Sequence, residues 1–240
     1  MSTYLLVHGA WHSGPCWDRV VPLLESAGHR VFAPSLTGLG ERKHLRGPEV
    51  GLDTHVDDVV GLITGEDLDE VVLVGHSYAG LVISSAANDV PDRVGHLVYL
   101  EAMVPEHGES AVDVMPVTQG VIDRAVNCEP GWLVPPLPEL PPPAGLFGVT
   151  DPADAAWLRS MLSDQPVRCL QQPVRLDNPA VDAIPRTHIH CTVRPEGFPR
   201  RPVPATQPNG TPAQVWELAT GHDAMVTAPD ELAALLLKLG

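Results

Sequence analysis

Short apolar runs alternate with longer amphipathic stretches along this chain. Tyr4-Leu5-Leu6-Val7 and Val71-Val72-Leu73-Val74 hold no polar alternation, as in strands covered on both faces of a parallel sheet. His29 to Ala33, Arg93 to Glu101, Thr187 to Thr192 and Gln214 to Ala219 read as further strands. Between them, Trp17 to Ala27 carries Trp17, Val20, Val21, Leu23 and Leu24 at helical spacing, with Gly28 placed to close the helix. Asp53 to Ile63 reads as a surface helix capped by Asp53 or Thr54. Ala79 to Ala87 suits a small, apolar helix packed on the sheet, and Asp230 to Lys238 a closing one. The expectation is an α/β protein: a mostly parallel, doubly wound sheet of about six strands, formed by residues 1–240 as one domain.

The pattern breaks between about residues 105 and 185. Pro130-Gly131 and the run from Pro135 to Pro143 exclude long helices and inner strands. Asp151 to Met161 does read as a helix, with Thr150 or Asp151 as N-cap and Pro152 in its first turn. An insertion of this length between sheet strands predicts a cap over the carboxyl ends of the strands. Met115, Trp132, Leu133, Phe147, Trp157 and Met161 are its candidates to line an apolar pocket, with Trp11, His12 and Met103 contributing from the sheet side.

Chemistry enters at Gly75-His76-Ser77-Tyr78-Ala79-Gly80, between an apolar strand and a small-residue helix. A serine on so sharp a turn needs small neighbours two residues away, and Gly75 and Ala79 are small. Such a turn lifts Ser77 Oγ above the sheet, where the unpaired N–H groups of the helix start face an oxyanion. The first strand likewise ends in His8-Gly9-Ala10. The backbone N–H groups of Ala10 and Tyr78 are the expected oxyanion donors, and His8 is expected to brace its loop. Of eleven histidines, His222 lies in the loop after the last strand. His188 and His190 share one strand face, yet no neighbouring residues complete a ligand set, so no metal is expected.

Three stretches, Leu6 to Arg42, Val71 to Gly80 and Thr220 to Leu236, resemble the esterase and hydroxynitrile-lyase branch of the α/β-hydrolases, which includes plant methylesterases and bacterial carboxylesterases. The resemblance implies the α/β-hydrolase fold with a cap, and a serine hydrolase that needs no cofactor. Ser77 would be the nucleophile and His222 the general base, acting on an ester or related acyl bond of a lipophilic or aromatic small molecule. In those relatives the acid follows the penultimate strand, in a segment like Cys-Thr-x-Asp. Here that segment reads Cys191-Thr192-Val193-Arg194, and an arginine cannot accept the imidazole proton. Glu101, at the end of the strand after the elbow helix, is the favoured substitute and Glu196 the alternative. The plant lyases carry a lysine directly after the catalytic histidine, where this chain has Asp223. A cofactor-free carbon–carbon hydrolase, a lactonase or a non-catalytic small-molecule receptor would use the same fold.

Composition narrows the setting. A net charge of −15 argues against nucleic acid and anionic membranes as partners. Four cysteines without disulfide or metal spacing point to a reducing, cytoplasmic setting. A first strand starting at Tyr4 leaves no room for a signal peptide, and no apolar run reaches membrane-spanning length. A small-molecule substrate is the expected partner, and a homodimer is left open.

Overall fold

The computed structural model describes residues 1–194 and 200–240. Six strands form one sheet: β1 (Thr3–Val7), β2 (Arg30–Phe32), β3 (Val71–His76), β4 (Val94–Leu100), β7 (Arg186–Cys191) and β8 (Gln214–Leu218). Their order is β2-β1-β3-β4-β7-β8, and every neighbouring pair is parallel. The order reverses direction at β1, so the crossover helices fall on both faces, as doubly wound sheets require.

Side-chain alternation divides the core in two. Leu5, Val7, Leu73, Leu97 and Tyr99 pack beneath α2 (Leu52–Gly65) and α3 (Ala79–Asp89). Tyr4, Leu6, Val72, Val74, Val98 and Leu100 pack against Trp17, α1 (Val21–Ser26) and the closing helices α8 (Ala224–Thr227) and α9 (Pro229–Leu236). The helix expected over Trp17 to Ala27 is in fact a 3-10 turn, Gly14–Trp17, followed by α1. Pro22 in the first turn of α1 explains the break, since it has no N–H to continue the ladder. Gly28 does follow α1 with φ of 88°. The start of α2 is also corrected: Gly51 is the N-cap, and Thr54 Oγ1 accepts its N–H at 3.2 Å. Burial of Leu52 draws the N-cap two or three residues earlier than Asp53 or Thr54.

The stretch between β4 and β7 contains α4 (Ala111–Val114), α5 (Thr118–Val126), α6 (Pro152–Met161), α7 (Val167–Gln171) and a two-strand ribbon of β5 (Leu133–Val134) with β6 (Gln165–Pro166). Asp151 caps α6 by accepting the N–H groups of Ala153 and Asp154. Trp11 ties the loop after β1 to this stretch: its N–H donates to Gln165 Oε1 at 3.0 Å and its Nε1–H to the Val134 carbonyl at 3.0 Å.

Candidate active site

Ser77 follows β3 with φ of 55°, a left-handed conformation that a residue with a side chain adopts at a cost. The surroundings hold it there. Its N–H donates to the Leu100 carbonyl at 3.1 Å, and its own carbonyl accepts from Met103 at 2.9 Å and Gly80 at 3.1 Å. Space is tight on every side. A Cβ on Gly75 would lie 2.8 Å from the Ala79 carbonyl oxygen, and one on Gly9 would lie 3.0 Å from Ser77 Cβ. The tightest position is Gly80, where a Cβ would come within 1.8 Å of the Met103 carbonyl oxygen.

Ser77, Tyr78, Ala10, Glu101 and His222 all line one predominantly apolar cavity of about 330 Å³. Among the described residues, neither the Ala10 nor the Tyr78 N–H has a hydrogen-bond acceptor. The loops carrying them are braced from below. His8 Nε2 accepts the Leu36 N–H at 3.0 Å, as the sequence led us to expect, and the Tyr78 hydroxyl bonds His55 Nδ1 at 3.0 Å. Burial pushes His8 down to about 3 and His55 to about 4, so both are neutral struts.

His222 is delivered by a loop pressed against the insertion. A Cβ on Gly148 would lie 2.4 Å from the His222 backbone nitrogen, and Asp223 N–H donates to the Phe147 carbonyl at 3.0 Å. Burial lowers the His222 imidazole below its ordinary value, while the Asp223 and Glu101 carboxylates act against that shift.

Glu101 stands at the end of β4 with φ of 42°. Its carboxylate accepts the Cys191 N–H at 2.8 Å and is held by Arg200 at 2.6 and 2.8 Å. It thus shares the cavity with Ser77 and His222, but its hydrogen bonds go to Arg200 and the backbone. Glu196 lies outside the described residues. Arg194 also lines the cavity.

Beneath His222 lies a pairing that nothing in the sequence signalled. His12 and Asp223 are 1 % and 0 % exposed and meet at 2.8 Å. His12 Nδ1–H donates to the Ala10 carbonyl at 2.7 Å. Burial alone would lower His12, but the Asp223 charge, the hydrogen bond to it and the Ala10 carbonyl together hold it above its ordinary value. His76 Nε2–H donates to the His222 carbonyl at 3.1 Å and stands 3.6 Å from Asp223 Oδ1. One ligand-type atom each of His76, His222 and Asp223 lies within 4.8 Å of the others.

The pocket lining is corrected in part. Trp11, Met103, Met115 and Phe147 line the cavity; His12, Trp132, Leu133, Trp157 and Met161 do not. His12 is consumed by its ion pair, Trp157 packs under the Arg19 guanidinium at 4.5 Å, and Met161 belongs to the core on the other face of the sheet. The missed wall is Val117, the N-cap of α5, and Val121 within it, with Leu137, Pro138, Leu140 and Pro143 of the proline-rich run. Valines four apart at 117 and 121 were the available helical signal. His188 stacks on Tyr99 at 5.2 Å, and burial lowers it to about 4.

Comparison with known proteins agrees with this architecture. A family model described as "Alpha/beta hydrolase family" matches residues 4–235. A carbendazim hydrolyzing esterase from Nocardioides sp. (strain SG-4G) is 37% identical over 253 residues, covering 100% of both chains. A pyrethroid hydrolase from Sphingobium wenxiniae is 41% identical over 107 residues, 43% of this chain and 37% of that one. Among solved structures, an extracellular α/β-hydrolase from a Paenibacillus species superposes with a TM-score of 0.83 at 26% identity, over 100% of this chain and 99% of that one. The parallel sheet, the left-handed serine between β3 and α3, and these full-length matches make the chain a member of the alpha/beta hydrolase family, among its esterases.

Proposed function

We propose that this protein is a serine carboxylesterase that cleaves an ester or related acyl bond of a lipophilic or aromatic small molecule. The observation that carries the reading is Ser77 at φ of 55° on the same cavity as His222 and the N–H groups of Ala10 and Tyr78. Ser77 Oγ attacks the acyl carbonyl while His222 takes its proton. The oxyanion enters the two N–H groups, each worth about 3 kcal/mol in such sites. His222 then returns the proton to the leaving alcohol. The acyl-serine formed is released by water in the same sequence reversed. Glu101, at the rim, is the proposed acid; it acts through its charge, since its hydrogen bonds go to Arg200 and Cys191. No cofactor takes part in these steps.

Residues 105–185 serve as the cap, with α5 and the proline-rich run forming the apolar wall that selects the substrate. The cavity of about 330 Å³ suits a ligand of medium size. That relatives are named for hydrolysing carbendazim and pyrethroids fits a compact, lipophilic ester. Four free cysteines, three of them buried, favour a reducing, cytoplasmic setting, and no described helix is long and apolar enough to cross a membrane.

Hydrolysis of p-nitrophenyl esters of graded chain length tests the reading. Turnover should peak at short to medium acyl chains and vanish in Ser77→Ala. Because Ser77 faces a cavity, that variant should keep its stability within about 1 kcal/mol. Turnover retained in Ser77→Ala would overturn the proposal.

A further inference from the structure

We infer that the buried His12–Asp223 pair, with His76, is a positioning unit that holds His222 in line with the oxyanion loop and supplies the fixed negative charge missing at position 194; the inference rests on the serine-hydrolase reading of Ser77 and His222. Three loops meet here. His12 belongs to the loop of Ala10 and donates to the Ala10 carbonyl at 2.7 Å. His76 directly precedes Ser77 and donates to the His222 carbonyl at 3.1 Å. Asp223 directly follows His222 and receives His12 Nε2 at 2.8 Å. Moving any one of the three therefore moves an oxyanion donor, the nucleophile or the base.

The arrangement does more than fasten. A carbonyl cannot donate, so His12 Nδ1 carries a proton toward Ala10, and Nε2 shares the second proton with Asp223. Asp223 Oδ2 is thereby occupied. Oδ1 has no hydrogen-bond partner among the described residues although it is buried, and it stands 3.6 Å from His76 Nε2. A buried carboxylate oxygen left unpaired is costly unless a charge appears beside it. The imidazolium that forms on His222 during proton transfer is such a charge, within 4.8 Å. The other charges bearing on His222 are Glu101 just after β4, already tied to Arg200, then Arg194 and His12, which oppose a cation. Glu101 and Asp223 thus each have a cationic partner, Arg200 and His12; Asp223 differs in keeping a buried oxygen, Oδ1, without a hydrogen bond among the described residues.

Two variants and two readouts test this. Asp223→Asn keeps the side-chain size and removes the charge. The kcat on a p-nitrophenyl ester should fall at least about tenfold while KM stays within about threefold, since the effect belongs to the transition state. The midpoint of the His222 imidazole titration, followed by NMR, should drop by about half a pH unit or more. His12→Gln/Asp223→Asn replaces the ion pair by a neutral hydrogen bond of similar shape. It should recover the thermal stability lost in Asp223→Asn, yet leave kcat low and the His222 midpoint depressed. If Asp223→Asn leaves kcat and the midpoint unchanged, or the double variant restores both, the pair is only a strut and the inference fails. Should the wild type show no ester turnover, the esterase reading fails, and the His222 titration still decides the role of Asp223.

Discussion

Glu101 and Arg200 lie 99 residues apart in the chain, and their contact is the feature of the site least available to sequence reasoning. Position relative to the elbow picked out Ser77, and the loop after the last strand picked out His222, because each role is bound to a local motif. The acid has no such motif once Arg194 takes its usual place, and which carboxylate faces the histidine is decided by tertiary packing. Asp223 was in plain sight as the neighbour of His222, but only the fold reveals that it meets His12. The charges predict a pH–rate profile. His222 acts as a base only when neutral, and burial lowers its imidazole below the ordinary 6.5. Activity should therefore persist below pH 6.5 and fail only on further acidification. Arg200→Gln frees the Glu101 charge and should move that acid limb to higher pH, whereas Glu101→Gln should move it lower and reduce kcat/KM. A kcat/KM profile of the two variants checks the signs; identical limbs would remove Glu101 from the account.

At the level of elements, strands were legible to within a residue or two because a sheet covered on both faces demands continuous apolar runs. Helix α1 was not, since Pro22 cuts a pattern whose periodicity continues through it. The apolar wall of the cavity was missed for a related reason: Leu137, Pro138 and Leu140 belong to no regular element, so no periodicity marks which side faces inward. The elbow yields a prediction with an informative sign. Gly80 lies inside α3, where alanine would ordinarily add about 1 kcal/mol of helix stability. Here its Cβ would come within 1.8 Å of the Met103 carbonyl oxygen. Gly80→Ala should thus destabilise by about 2 kcal/mol or more, as overpacking does, read as a lower urea midpoint with unchanged m. A stabilised variant would mean that the elbow is looser than described.

Across the whole molecule, buried neutral histidines set the acid limit of stability. His8 is lowered to about 3, His55 and His188 to about 4, and His76 also falls, each chiefly through burial. A histidine depressed in the fold still protonates near 6.5 when unfolded, so acidification favours the unfolded chain. Stability should decline as pH falls from about 6.5 toward about 4. His12 is raised and works the other way: its contribution is full below 6.5 and fades as pH rises through its folded value. His96, His190 and His222 are lowered by burial as well, so with seven rings against one the melting temperature should drop between pH 6.5 and 4, and a rise over that interval would contradict the burial of these rings. The same scale explains what composition could settle: acidity and apolar runs gave the class of the molecule, while the packing of loops from four regions around Ser77 gave the site.

The central claim, that Ser77 is an activated nucleophile, is met most directly by a fluorophosphonate probe followed by peptide mapping. The account predicts one adduct, on Ser77, absent from Ser77→Ala and formed far more slowly in His222→Ala. An unlabelled wild type, or labelling indifferent to both substitutions, would contradict it.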